Sequence, residues 1–132
     1  MYEDIFDRVR DAIHESLGVT KDRITLKARL IDDLGSDSLD LLDILFALEE
    51  KFGIKIKRGQ IEAMARQGIP DAEFEVDGQI TERGAARLRE VLPEVEPHHI
   101  VAGMPLARLP YLFTVETFCR LVQAKLREKE GR

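Results

Sequence analysis

The sequence predicts an all-α domain, because three long stretches of the chain carry apolar residues at steps of three and four. That spacing places the apolar side chains on one face of an α-helix, where they can pack into a core. The chain has 132 residues and 44% of them are hydrophobic, which is enough for one domain with its own core. No apolar run reaches the length of a membrane-spanning helix, so no membrane span is predicted.

Residues at the ends of the apolar patterns set the limits of the helices. Helices are predicted, in chain order, over residues 2–17, 37–52, 59–67 and 81–91, and from about 114 onward. Gly18 is a C-terminal cap for the first helix, and Asp37 forms a capping box with Asp40 at the start of the second. Residues 76–79 give a two-residue hairpin signal, and the proline-containing stretch 93–110 is expected to be irregular.

The second helix has two apolar faces instead of one. Its inward face carries Leu41, Ile44, Leu45, Leu48 and Phe52, and its second stripe carries Leu39, Leu42 and Phe46. The carboxylates of Asp40, Asp43 and Glu50 lie beside the second stripe on the helical wheel. The stripe is either buried in a bundle, with the acids at its edge, or it is an exposed docking surface whose acids steer a basic partner.

Ser38 occupies the first turn of the second helix, directly after Gly35-Ser36-Asp37. A side chain at this position points outward, close to free backbone N–H groups and to the positive end of the helix dipole. An anionic group attached to Ser38 would therefore be stabilised. Geometry alone also allows a simpler interpretation, in which Ser36 or Asp37 caps the helix and Ser38 has no function.

The composition argues against several classes of function. Acidic residues outnumber basic ones by 25 to 20, giving a net charge of −5, which argues against a nucleic-acid-binding protein. The single cysteine, Cys119, excludes an internal disulfide, and with three histidines it offers a poor set of metal ligands. The N-terminal segment lacks the apolar stretch of a signal peptide, so a cytoplasmic protein is expected.

The motif around Ser38, Asp33-Leu34-Gly35-Ser36-Asp37-Ser38-Leu39-Asp40, resembles the attachment motif of the acyl carrier protein family. The similarity extends to the ends of both predicted N-terminal helices, at 17–19 and 47–53, and to the start of the last helix, at 114–118. The resemblance covers about residues 1–57 and 111–130. It implies an acyl-carrier-like helical bundle with an inserted, mostly helical segment before the last helix.

The resemblance implies a carrier and not an enzyme. In this family the serine of the motif, here Ser38, receives 4′-phosphopantetheine from a separate Mg²⁺-dependent phosphopantetheinyl transferase, and the thiol of this arm holds an acyl group as a thioester. The other implied partners are acyl synthases and acyltransferases with basic docking patches; no metal site is implied, and a monomer is expected. The implied partner-binding residues are Asp37, Leu39, Asp40, Leu42, Asp43, Phe46 and Glu50.

Residues 58–110 depart from the family, because typical carriers have only a short third helix and a few linker residues there. We expect a single domain over 1–132 in which this insertion forms extra helices against the carrier core. There it would extend the acyl site or form a partner-specific surface. A flexible loop is the alternative for the proline-containing second half.

The pathway is suggested by a second, narrower resemblance. Residues 42–47 and 53–56 resemble the specialised carriers that deliver very long acyl chains to lipid A. The acid-rich second helix favours service in fatty-acid or lipid biosynthesis. A peptidyl or polyketide carrier domain is one alternative. Another is an unmodified helical adaptor that binds a partner helix through Leu39, Leu42 and Phe46.

Overall fold

The computed structural model describes residues 2–57 and 59–130. Its elements are α1 (Tyr2–Leu17), a 3-10 helix (Lys21–Arg23), α2 (Ser38–Phe52), α3 (Gln60–Arg66), α4 (Asp71–Phe74), β1 (Glu75–Val76), β2 (Gln79–Ile80), α5 (Glu82–Val91), two further 3-10 helices (Pro97–His99 and Leu106–Leu112) and α6 (Val115–Glu130). The described chain is mostly helical, which confirms the all-α prediction. It divides into two compact units, Met1–Ile56 with Phe113–Arg132, and Lys57–Leu112. None of the described helices combines the length and the apolar character that crossing a membrane requires.

The first unit is a bundle of α1, α2 and α6. Each helix turns its apolar face toward a shared core, in which Ile13 of α1, Ile44 of α2 and Val122 of α6 are fully buried. Burial of one such side chain contributes about 1.5–3 kcal/mol to stability. The predicted inward face of α2 is confirmed by the burial of Leu41, Ile44, Leu48 and Phe52, with Leu45 partly buried beside them.

Backbone hydrogen bonds join the connection between α1 and α2 to the start of α6. The N–H of Leu30 donates to the carbonyl of Phe113 at 3.1 Å. The N–H of Val115 donates to the carbonyl of Ala28, and that of Glu116 to the carbonyl of Leu26, both at 3.0 Å. Because the side chain of Leu30 is also fully buried, this residue is a fixed point directly upstream of α2.

The second unit has a core of its own. Its buried apolar side chains come from helices, the hairpin and the chain that follows them: Ile61, Ala65, Ile69, Phe74, Ile80, Ala85, Leu88, Leu92, Val95, Ile100 and Leu109. β1 and β2 pair as the predicted hairpin, with Asp77 at φ 53° and Gly78 at φ 80° in its two-residue turn. Both halves of the insertion therefore contribute to one folded core, whereas the packing of this unit on the carrier core stays a prediction.

The prediction that residues 93–110 are irregular is wrong in part. Two 3-10 helices lie in or overlap this stretch, and residues 103 and 104 pair with β2. The N–H of Ile80 donates to the carbonyl of Met104 at 2.9 Å, and the N–H of Gly103 donates to the carbonyl of Ile80 at 2.7 Å. Such pairing between segments distant in sequence leaves no periodic signal in either segment.

A close contact between backbones fixes α5 in the second unit. A Cβ atom added to Gly84 would lie 2.4 Å from the carbonyl oxygen of Phe74 and 3.1 Å from Cγ2 of Ile80. Glycine is therefore required here by space, because any side chain would push α5 away from the end of α4.

Cys119 lies in α6 and is fully buried in the core of the first unit. Burial raises the pKa of its thiol to about 12, and the negative charge of Glu116 adds to the effect. Because the thiolate is the reactive form, this cysteine is inert in the folded chain.

Candidate functional site

The start of α2 is closed by a reciprocal capping box. Asp37 has extended backbone angles, and its side-chain oxygen accepts a hydrogen bond from the N–H of Asp40 at 2.9 Å. The Asp40 carboxylate in turn accepts from the N–H of Asp37 at 3.0 Å. The N–H of Leu41 donates to the carbonyl of Asp37 at 3.0 Å and completes the first helical turn. The predicted capping box is confirmed.

The two serines of the motif have opposite environments. Ser36 is only 4% exposed, and its hydroxyl donates to the carbonyl of Leu30 at 2.6 Å. Its backbone N–H donates to the same oxygen at 3.0 Å. Ser38, in contrast, is exposed at the first position of α2, and its hydroxyl has no partner among the described residues. Only Ser38 of this pair is therefore open to a second protein.

The loop before Ser36 is fixed by Asp33, a contribution that sequence reasoning missed. One carboxylate oxygen of Asp33 accepts from the backbone N–H of Arg29 at 2.8 Å. This hydrogen bond, helped by the Arg29 guanidinium, holds the pKa of the Asp33 carboxyl below its usual value. The available sequence signal was the four-residue spacing of Arg29 and Asp33.

The second apolar stripe of α2 is a surface feature. Leu39 is 70% exposed and Phe46 is 61% exposed, while Leu42 between them is partly buried. Exposed apolar side chains that share one helix face form a candidate contact surface. We call Leu39, Leu42 and Phe46 the apolar strip. The interpretation in which both faces of the helix are buried is wrong.

Two of the predicted acids lie beside the strip without a counter-charge. Asp43 and Glu50 are exposed, and within the described residues neither forms an ion pair. Asp37 and Asp40 differ, because their carboxylates are engaged in the capping box. The structure thus places the predicted partner-binding residues on α2 or at its N-cap; the carboxylates of Asp37 and Asp40 are hydrogen-bonded, whereas those of Asp43 and Glu50 are unpaired within the described residues.

The start of α2 suits a covalently attached phosphate. The N–H groups of Ser38 and Leu39 have no hydrogen-bond partner among the described residues, so they remain free toward the helix N-terminus. Free amides and the helix dipole both favour a negative group at this end. No cluster of metal-ligating side chains lies in the described part of the chain.

A family model and several known proteins are similar to part of this chain. The family model described as "Phosphopantetheine attachment site" matches residues 7–66. The acyl carrier protein of Thermotoga maritima is 44% identical over 66 residues, which are 50% of this chain and 82% of that protein. The acyl carrier protein AcpXL of Brucella melitensis is 46% identical over 70 residues, which are 52% of this chain and 75% of that protein. The chain therefore belongs to the acyl carrier protein family: it is a carrier rather than an enzyme, and its covalently attached cofactor is 4′-phosphopantetheine.

Proposed function

We propose that Ser38 is the attachment site and that the chain presents acyl thioesters to enzymes of fatty-acid or lipid biosynthesis. The observation that carries the proposal is the contrast within the motif, where Ser38 is exposed beside the apolar strip and Ser36 is buried and hydrogen-bonded. When bound, the arm supplies a thiol that holds the acyl group and brings it to a partner enzyme at a high effective concentration.

The attachment step uses the Ser38 hydroxyl as a nucleophile. Its oxygen forms a bond to the β-phosphorus of coenzyme A, and the bond from that phosphorus to the leaving adenosine 3′,5′-bisphosphate breaks. The serine proton passes to a base on the transferase, because no general base of the chain is hydrogen-bonded to Ser38 within the described residues. The chain itself contributes an exposed hydroxyl on a fixed backbone.

The partner surface in this proposal combines the apolar strip with the carboxylates of Asp43 and Glu50. The strip would supply buried contact area, and the acids would attract enzymes with basic patches. The transferase and the acyl-using enzymes are the proposed partners.

The narrower pathway proposal is delivery of long acyl chains to a lipid A-type acceptor in the cytoplasm. It rests on residues 42–47 and 53–56, which resemble the specialised carriers of such chains, and on the similarity to AcpXL of Brucella melitensis. The insertion supports a specialised role, since residues 58–110 replace the short third helix and linker of typical carriers.

Intact-mass measurement of the purified chain after incubation with a transferase, Mg²⁺ and coenzyme A tests the proposal. We expect one phosphopantetheinyl group per chain, and subsequent loading with acyl groups of graded length reports the preferred substrate. An unchanged mass with a transferase that modifies a known carrier in the same tube would contradict the proposed attachment at Ser38.

Reversal of both unpaired acids, Asp43→Lys with Glu50→Lys, is expected to slow modification about tenfold at low salt, because charge steering changes association rates by roughly 10–10³. The wild-type rate should also fall as salt rises, since exposed charges are screened beyond about 8–10 Å. Initial rates at several ionic strengths measure both effects.

A matched control is the double reversal Asp4→Lys with Asp22→Lys. It changes the net charge by the same amount, but at exposed sites outside α2. We expect its rate to stay much closer to that of the wild type. Equal slowing by the two pairs would assign the effect to net charge and not to the surface on α2.

A further inference from the structure

We propose that Asp40 is a positioning residue for the transfer to Ser38, acting through the capping box and not only through its charge. The inference rests on the proposed attachment at Ser38. Sequence reasoning assigned Asp40 to the acids that attract partners, together with Asp43 and Glu50. The hydrogen bonds at the start of α2 indicate a second role for Asp40, which can be tested separately from its charge.

Asp40 is hydrogen-bonded to Asp37 across the attachment residue. Its carboxylate holds the N–H of Asp37 at 3.0 Å, and its own N–H is held by the Asp37 carboxylate at 2.9 Å. Ser38 and Leu39 are the two residues enclosed by this pair of bonds. Their backbone is therefore fixed from both sides, although their side chains remain exposed.

The chain directly before Ser38 is fixed as well. The Leu30 carbonyl accepts both the hydroxyl and the N–H of Ser36, and the Leu30 N–H is bonded to Phe113. Ser38 thus lies two residues from an anchor on one side and two residues from Asp40 on the other. A nucleophile on a fixed backbone reaches the transferase in a reactive orientation without further ordering, which favours catalysis by proximity.

Asp40 and Asp43 provide a natural comparison, because both are aspartates on α2 and only Asp40 makes a capping bond. Loss of a steering charge weakens the encounter and raises KM. Loss of the capping bond leaves Ser38 on a frayed helix end and lowers the rate of chemistry within the bound complex. Asparagine at position 40 keeps a carbonyl oxygen as acceptor while removing the charge, so it separates the two effects.

The test measures single-turnover transfer from coenzyme A by intact mass, at limiting and at saturating transferase, for Asp40→Ala, Asp40→Asn and Asp43→Asn. We expect Asp40→Ala to lower the saturated rate about tenfold, within the range of up to about 10²-fold for a misplacement of 1 Å. Asp40→Asn and Asp43→Asn should keep the saturated rate close to that of the wild type and raise KM. Amide exchange at Asp37, which loses its bond to Asp40, and at the neighbouring bonded amides of residues 40 and 41 should increase in Asp40→Ala and not in Asp40→Asn.

A cap in the second unit gives the matched control. The Thr81 hydroxyl accepts from the N–H of Gly84 at 3.0 Å at the start of α5, so Thr81→Ala removes a helix cap away from the attachment motif and should leave the saturated rate unchanged. A wild-type saturated rate in Asp40→Ala overturns the inference, and so does an equal loss in Asp40→Asn, which would assign the effect to charge. Failure of the wild-type chain to be modified overturns the proposed function instead.

Discussion

Ser38→Ala is expected to abolish the mass gain with transferase, Mg²⁺ and coenzyme A, whereas Ser36→Ala should still be modified. The first change removes the exposed hydroxyl at the start of α2. The second removes a buried hydroxyl whose hydrogen bond to Leu30 contributes about 0.5–1.5 kcal/mol to stability. Intact mass gives the extent of modification, and fragmentation of the modified peptide in the wild type locates the added group.

Both serine variants must remain helical by circular dichroism for the comparison to hold. A modified Ser38→Ala chain would refute the assignment of the attachment site. If Ser36→Ala escaped modification while Ser38→Ala was modified, Ser36 would be the attachment site. Its buried hydroxyl would then have to become exposed in the complex with the transferase.

Gly84→Val is expected to unfold the second unit and to leave modification of Ser38 intact. The new side chain would begin 2.4 Å from the Phe74 carbonyl oxygen, and overpacking of this kind costs about 1–3 kcal/mol or more. The residues of the proposed attachment site all belong to the first unit. Amide exchange resolved by peptide should therefore show lost protection in 57–112 and retained protection in α1, α2 and α6.

Ala86→Val is the control for Gly84→Val, because it adds the same branched side chain to an exposed position of the same helix. It should cost only the lower helix propensity of valine, which is a few tenths of a kcal/mol to about 0.7 kcal/mol. Unchanged protection from amide exchange in 57–112 of Gly84→Val would contradict the close contact between position 84 and the Phe74 carbonyl. A strongly reduced transfer rate in a chain with an intact first unit would show that attachment needs the insertion.

Features set by local chemistry could be read from the sequence. Asp37 and Asp40 stand at the spacing of a capping box, and this pattern is visible in the residues alone. The burial of Ser36 was not predictable in this way, because it depends on a carbonyl six residues upstream that the intervening loop brings into reach. The same limit applies to Phe113, whose carbonyl accepts from Leu30 across more than eighty residues of chain.

The prolines near the end of the insertion illustrate a different limit. Pro110 lies inside the 3-10 helix Leu106–Leu112, although proline predicts a break in helical structure. This stretch also lacks the repeating apolar pattern that reveals a longer helix. Its structure is set instead by hydrogen bonds to the hairpin and by burial of Leu109 in the core of the second unit.

The buried thiol of Cys119 has a consequence for the chemistry of the loaded carrier. Because burial raises the pKa of this thiol to about 12, it stays protonated at neutral pH and is not a nucleophile. Since the chain has no other cysteine, an arm ending in a thiol would be its one nucleophilic sulfur in the native state. An acyl group on that arm would not migrate to the protein's own buried cysteine, and a maleimide dye would label only modified chains whose arm carries no acyl group. Fluorescent labelling under native conditions would thus report the fraction of molecules that carry a free arm.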